Sequence, residues 1–389
     1  MGRVDQEAFY RDPYPRYAEA RAASGLTFVP ELDAWLVARH ADVREVLGRP
    51  EDFSSAGALR PDVIPGPAAL AVLSAVPGGG PIVLGSDGET HQRLRRPLTR
   101  GLSPAKVATA LPFITGRVAE LIASFRDEGR VEWMSGYAGP LPASVIGHLL
   151  GLDPGDVPAA IQAGQHAEAL LFTPMPQDAQ VAAAHEVAAL RQLLDGHARA
   201  CADRDDLTGE LVRGLPWAEV VGNLENLMLA GHLTTTALLG GAVHNLLRDR
   251  RQWELLCERP ELLPAAIEEA ARFDAPIQGF RRRVTRPLTL SGTDLEEGAV
   301  LFVSYASAGR DETVYERPDV FDITRAPVRH LSFGHGAHGC PGSQLGREQV
   351  RITLETLIRE LPGLRLAEPG VTMSATLIHR APEELFLTW

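Results

Sequence analysis

The stretch Leu331–Glu348, LSFGHGAHGCPGSQLGRE, decides how the rest of the chain is read. It sets Cys340 behind Gly334 and Gly336 and ahead of Pro341, and Phe333, Gly334, Gly336, His338, Cys340 and Gly342 together spell F-G-x-G-x-H-x-C-x-G. The glycines permit backbone geometry that a β-carbon forbids, so a turn of this kind can aim several N–H groups at the sulfur. Pro341 suits the first position of a helix, and SQLGREQVRITLETLIREL continues with the spacing of an amphipathic one. A cysteine at a helix N-terminus has its thiolate stabilised by the macrodipole.

Composition narrows what that thiolate can be for. The chain has 389 residues, 45% of them apolar, and a formal net charge of −12. One large core or two medium ones fit that length. Lys106 is the sole lysine, and no basic run occurs, which argues against nucleic acid as a partner. The three cysteines, Cys201, Cys257 and Cys340, form neither a CxxC pair nor a zinc signature. Structural disulfides are not expected, and a reducing cytoplasm is the expected location. The opening MGRVDQEAFYRDPYPRY is charged and broken by proline, so neither a signal peptide nor a membrane span is expected there.

Helical periodicity dominates. ADVREVL, the run from Lys106 to Phe125 and the run from Ala182 to Ala200 carry apolar residues at helical spacing, whereas LTFVPEL, AWLVAR and VLFVSYA alternate like strands near the two ends of the chain. Residues 56–85, rich in glycine and proline, read as a long, mobile loop of the kind that binds ligands.

Three uses of Cys340 follow from chemistry alone: a nucleophile with His338 as base, a buried structural thiol, or a lone protein ligand to a metal whose other ligands come from a cofactor. Haem is a cofactor that brings its own. With these residues in view, the chain resembles the cytochrome P450 superfamily of haem-thiolate monooxygenases, in its soluble bacterial form. The resemblance runs from DPYPRY near the start to the C-terminal turn. It implies a single domain over 1–389, mainly α with small β-sheets, binding haem b through Cys340.

The same resemblance assigns further residues. Glu269 and Arg272 in EEAARF form its E-x-x-R pair, joined by Arg325, in a structural role. His91 and Arg95, four apart in DGETHQRLRRPLTRGLSP, together with Arg282 and His330, are expected to meet the haem propionates, and Arg93, Arg96 and Arg100 to be solvated. Phe333, Gly334, His338 and Gly342 complete the cofactor-binding loop. LENLMLAGHLTTTALLGGAVHNLL, residues 224–247, resembles the helix that crosses the distal face. There Ala230 and Gly231 leave room for dioxygen and Thr234, with Thr235, helps deliver protons. Where the family usually carries an acid before the threonine, this chain has Leu233.

Substrate contacts are expected from Leu170, Leu171, Phe172, Leu227, Leu233, Ile277, Phe280, Leu377 and Ile378. Most are apolar, which suits an apolar or mixed organic molecule. The activity implied is hydroxylation of a small organic molecule in bacterial secondary metabolism by a monomer. Electrons come from a ferredoxin and an NAD(P)H-dependent reductase, because the sequence has no dinucleotide fingerprint of its own. Two other readings are a haem-thiolate enzyme that couples C–C or C–N bonds, and a haem protein without catalysis. Ala230, Gly231 and Thr234 speak against the last.

Overall fold

The computed structural model describes residues 3–326, 328–367 and 370–389, with side chains from Glu7 onward. Met1 and Gly2, read above as part of a charged N-terminus, lie outside the described residues. Helix makes up 58% of the chain, against about a third in an average globular protein. The expectation of a mainly α fold with small sheets therefore holds. The chain divides into two compact units, residues 1–55, 112–141 and 233–389 in the first and 56–111 and 142–232 in the second.

The first unit contains a five-stranded sheet in the order Thr27–Val29, Ala34–Val37, Val300–Ser304, Gly279–Val284, Phe53–Ser54. Its central strand pairs in parallel with one neighbour, Trp35 opposite Leu301, and antiparallel with the other, Arg282 opposite Leu301 and Phe280 opposite Val303. Leu301, Phe302 and Val303 are all buried, as a strand covered on both faces requires. The alternation of VLFVSYA suggests a longer strand, but it stops at Ser304. The Ser304 hydroxyl accepts the Ser307 N–H at 3.1 Å and caps a helical turn over Tyr305–Ala308. Tyr17, Leu36, Phe302, Ala306 and Leu377 share one core cluster beside this sheet.

In the second unit, helix Val157–Phe172 packs along helix Gln177–Ala200. Residues 56–85 differ from the loop expected, because they contain helix Pro67–Ser74 and a short turn at Val83–Gly85. Gly66 caps the way in and Pro67 occupies the first turn, where its missing N–H costs nothing. Ala69 of this helix is buried with Leu170, Ala183, Ala184 and Val187. The loop before it is tied down by the Leu171 carbonyl, which accepts the N–H groups of Asp62 at 2.9 Å and Val63 at 3.0 Å.

Two long helices run from one unit into the other. Pro104–Phe125 lies within the one helical stretch among the described residues that has the length and apolar content of a membrane span. Its residues Val107, Ala110, Ile114, Val118 and Ile122 are nevertheless almost wholly buried at helical spacing, the pattern of a helix facing a protein core. Trp217–Arg248 is the longest helix, 32 residues. In the second unit its Asn223 accepts the Val83 N–H and donates to the Pro81 carbonyl. In the first unit Asn245 donates to Asp274 at 2.8 Å.

Candidate active site

The cysteine loop takes its shape from backbone conformation. Gly334 and Gly336 have φ of +72° and +67°, in the left-handed region where an L side chain is strained. Gly336 is further constrained: a β-carbon there would stand 2.4 Å from the Leu47 carbonyl oxygen of helix His40–Gly48. The Cys340 N–H donates to the Phe333 carbonyl at 2.8 Å, closing the loop on itself. Helix Ser343–Glu360 begins two residues later than Pro341, because Pro341 and Gly342 form a turn before it. Cys340 is exposed while Cys201 is buried, so the reading of Cys340 as a buried structural thiol does not hold. A β-carbon at Gly342 would sit 3.9 Å from its sulfur.

The long helix shows a second unusual feature. Residues before and after its midpoint are buried, yet Asn226, Leu229, Gly231, Leu233 and Thr234 are only half-buried and Ala230 is exposed. Asn226, Ala230, Leu233 and Thr234 recur at helical spacing, so an open stripe runs along an otherwise covered helix. Gly231 lies at its edge, where an added β-carbon would approach Ile146 to 2.8 Å. Leu227 is buried beside the stripe. Thr234 and Leu233 both belong to the stripe, so the position where an acid is usual carries an aliphatic side chain facing the same space.

Thr235 does not. Successive helical residues point about 100° apart, and Thr235 is turned away from the stripe, buried, with its hydroxyl 4.0 Å from where a β-carbon on Gly346 would stand. Its expected part in proton delivery does not fit that position.

Several cations meet the needs of an acidic cofactor. Arg282, on strand Gly279–Val284, is 3% exposed, and among the described residues it bonds only to the Arg281 carbonyl, at 2.8 Å, and the Tyr305 hydroxyl. A buried guanidinium without a carboxylate calls for an anion, and a haem propionate fits that need. Burial pushes the Tyr305 phenol up, with Arg282 working against it. The His338 Nε2 lies 3.0 Å from the Ser55 hydroxyl. In the second unit, His91 and Arg95 sit four apart on helix Gly88–Gly101. Burial pushes the His91 imidazole down and Arg95 adds to that, with Asp87 opposing. A neutral ring keeps one N–H to donate. Arg93 forms a bidentate pair with Glu219, and Arg100 reaches Glu210 at 2.8 Å. Of the three arginines expected to be solvated, Arg96 and Arg100 are exposed and Arg93 is half-buried.

His330 departs from expectation. Its Nδ1 accepts the Ser332 N–H at 3.2 Å and its Nε2 lies 3.2 Å from Glu268. With both ring nitrogens engaged, it has no free donor for a propionate. Glu268 is held bidentately by Arg347, at 2.6 and 2.8 Å. Burial opposes its charge, but Arg347 and His330 prevail and hold the carboxyl down at about 2. Glu268, Arg347, Tyr305 and Ser55 were not singled out from sequence. The signal for the first two was present: an acid directly before the E-x-x-R glutamate, and an arginine two turns after the cysteine.

The E-x-x-R cluster is assembled as expected. Arg272 donates to both Glu269 oxygens at 2.7 Å and to the Gly309 and Pro318 carbonyls, and Arg325 Nε lies 3.2 Å from each Glu269 oxygen. Both members of the pair are almost fully buried. Among the expected substrate contacts, Leu170 and Leu377 are instead core residues, packed in the clusters described above. Phe280 is half-buried, edge-on to Tyr305, and lies two residues from Arg282 on the same strand face. Ile277 and Ile378 are buried near the bridge that pairs Ile277 with His379, and Leu171 and Phe172 are half-buried at the end of their helix.

Among the described residues no group of three or more His, Cys, Asp or Glu side chains could hold a metal ion. A metal bound at Cys340 therefore needs a cofactor that supplies the remaining ligands. With a buried, carboxylate-free arginine on strand Gly279–Val284 and an open stripe on a covered helix, the residues present fit a haem-thiolate oxygenase. Residues 227–362 match the cytochrome P450 family model. Cytochrome P450 144 of Mycobacterium tuberculosis is 32% identical over 379 residues, covering 95% of this chain and 87% of that protein. Nocardicin C N-oxygenase of Nocardia uniformis is 31% identical across the full length of both. The P450 heme domain of Tepidiphilus thermophilus superposes with a TM-score of 0.92 at 28% identity, covering 98% of this chain and 95% of that one. The chain belongs to the cytochrome P450 family. It is a P450 monooxygenase and its cofactor is haem b.

Proposed function

We propose that this P450 hydroxylates a small organic molecule in bacterial secondary metabolism. It works as a cytoplasmic monomer with one haem-binding domain over 1–389, supplied with electrons by a ferredoxin and its reductase. The observation that carries the reading is the open stripe on the Trp217–Arg248 helix, which leaves Thr234 accessible within a covered element. Relatives named as a nocardicin N-oxygenase, a steroid C26-monooxygenase and a menaquinone omega-hydroxylase support an organic substrate of apolar or mixed character.

Haem b, when bound, supplies dioxygen activation and oxygen insertion. The chain's own residues do the rest. Cys340 would hold the haem iron through its sulfur, and the turn from Phe333 to Gly342 fixes the direction of that side chain. Arg282 and His338 in the first unit would meet propionates, and His91 and Arg95 in the second unit carry donors suited to the same role. Ala230 and Gly231 keep side-chain bulk away from the distal space. Thr234 takes a proton from water and passes it on, because Leu233 has none to give. Leu171, Phe172, Leu227, Leu233, Ile277, Phe280 and Ile378 are the side chains proposed to bound the substrate.

Leu233 also favours a second outcome, oxidative C–C or C–N coupling, in which no oxygen is inserted and proton supply matters less. Mass spectrometry of products formed under labelled dioxygen separates the two. The primary test is the reduced, carbon-monoxide-treated protein. A strongly red-shifted Soret band that disappears in Cys340→Ser is expected, and a band that survives the substitution overturns the assignment. Thr234→Ala should divert reducing equivalents from product to peroxide, whereas Thr235→Ala should leave that partition unchanged. Equal uncoupling by both would refute the division between them.

A further inference from the structure

Behind the cysteine loop lies a cluster of three ionisable side chains whose charges cancel. Arg347, seven residues past Cys340 on helix Ser343–Glu360, places its guanidinium 4.1 Å from the centroid of the Phe333 ring. Its Nε and Nη2 grip the two oxygens of Glu268 at 2.6 and 2.8 Å, and Nη1 reaches the Ser343 carbonyl at 3.4 Å. His330 closes the group from the other side, its ring 5.7 Å from that of Phe333. A backbone N–H can only donate, so the Ser332 N–H makes His330 Nδ1 an acceptor. The proton is then on Nε2, donated to Glu268 at 3.2 Å, and the imidazole is neutral. One cation, one anion and one neutral ring thus surround Phe333, the residue whose carbonyl accepts the Cys340 N–H.

A planar guanidinium is suited to both halves of this arrangement, stacking on an aromatic face while gripping a carboxylate bidentately. If packing alone were needed, an apolar side chain over Phe333 would serve. A compensated charge does something else, since it covers the ring without adding a net charge beside the loop.

We propose that Glu268 and Arg347 are a positioning pair that holds Phe333 while keeping the net charge behind the Cys340 loop at zero, and that this neutrality helps set the reduction potential of the bound haem iron. The proposal rests on the haem-thiolate reading of Cys340. Its sign is fixed by electrostatics. One-electron reduction adds a negative charge at the iron, which an uncompensated cation favours and an uncompensated anion opposes.

The test is a spectroelectrochemical titration of the purified holoprotein at pH 8. Glu268→Gln keeps the shape and the hydrogen-bond acceptor but leaves Arg347 unopposed, and should raise the potential. Arg347→Met leaves Glu268 unopposed and should lower it. Each change is expected to move the ferrous-to-ferric ratio at a fixed applied potential by up to about tenfold, which is 59 mV for one electron. The double variant should return towards wild type, and Arg347→Lys, which keeps the charge but loses the stack, should stay near wild type even where it lowers stability. A merely structural role would shift both single variants the same way, or would move Arg347→Lys as far as Arg347→Met. Either result overturns the proposal, as does an unmoved potential in both single variants. Should Arg347→Met fail to retain haem, the sign of Glu268→Gln decides, a lowered or unmoved potential overturning the proposal; should Glu268→Gln fail, Arg347→Lys against Arg347→Met decides. A wild-type protein without the red-shifted carbon monoxide band would instead remove the reading beneath the proposal, so the two failures are told apart by the unmutated protein.

Discussion

Replacing Gly336 with alanine should unseat the cysteine loop. Two independent costs meet at that position. Its φ of +67° places a β-carbon in the left-handed region, at about 1–2 kcal/mol for a residue other than glycine. The same β-carbon would come within 2.4 Å of the Leu47 carbonyl oxygen. That oxygen is backbone of helix His40–Gly48, so relief requires the loop or the helix to move, and forced overpacking costs about 1–3 kcal/mol. Together they predict a loss of roughly 3.5 kcal/mol, the sum of the middle values of the two ranges. Asparagine tolerates left-handed backbone far better than alanine does, and it separates the two causes. At Gly334, where the nearest atom to an added β-carbon is 3.3 Å away, asparagine should be nearly neutral. At Gly336 it should remain costly because the collision persists. Urea unfolding of the holoprotein gives the stability change, and haem content with the carbon monoxide spectrum reports the loop. If Gly336→Asn proves as mild as Gly334→Asn, the contact with Leu47 does not constrain the loop and the reasoning fails.

Two further outcomes concern the framework. His244 is buried with no partner for its Nδ1, and burial pushes its imidazole down to about 4, with Asp274 opposing and Arg248 and Arg380 assisting. The folded state then binds fewer protons than the unfolded one between pH 6.5 and about 4, so its contribution is complete above pH 6.5 and is lost as pH falls through that interval. At 1.36 kcal/mol per unit the loss approaches about 3 kcal/mol. His244→Leu should remove this component in urea titrations at pH 7.5 and 4.5, and an unchanged pH dependence would exclude His244 as its source. Arg272→Ala leaves Glu269 buried without its principal partner and should cost about 3–5 kcal/mol, read as a lower denaturation midpoint. A change within the range of an exposed ion pair would mean the cluster is not structural.

Residues with a strict geometric or chemical requirement were legible in the sequence. The two positive-φ glycines, the lone cysteine and the E-x-x-R pair announce themselves because few other residues could stand there. Of the 32-residue helix, residues 224–247 were visible as an apolar run too long for a strand, while its first turns were not. What escaped were properties set by neighbours distant in sequence. Thr235 and Thr234 are chemically identical, and only the position of Gly346 shows that one faces a helix while the other lies on the open stripe. His330 looked available until Ser332 and Glu268 occupied its two nitrogens. Leu170 and Leu377 were apolar residues in plausible places that the core claimed first. Residues 56–85 read as loop because glycine and proline crowd both ends, yet PAALAVLS between them needed only helix Gln177–Ala200 as a surface to fold against.

The Leu171 carbonyl, shared by the amides of Asp62 and Val63, makes two distant stretches of sequence mechanically one. A substrate that pushes the end of helix Val157–Phe172 outward must also drag the segment that leads into helix Pro67–Ser74. Altered substrate preference should accordingly be easier to reach through paired substitutions at the two stretches than through either alone, and a graft of one stretch from a relative should work best when its counterpart travels with it.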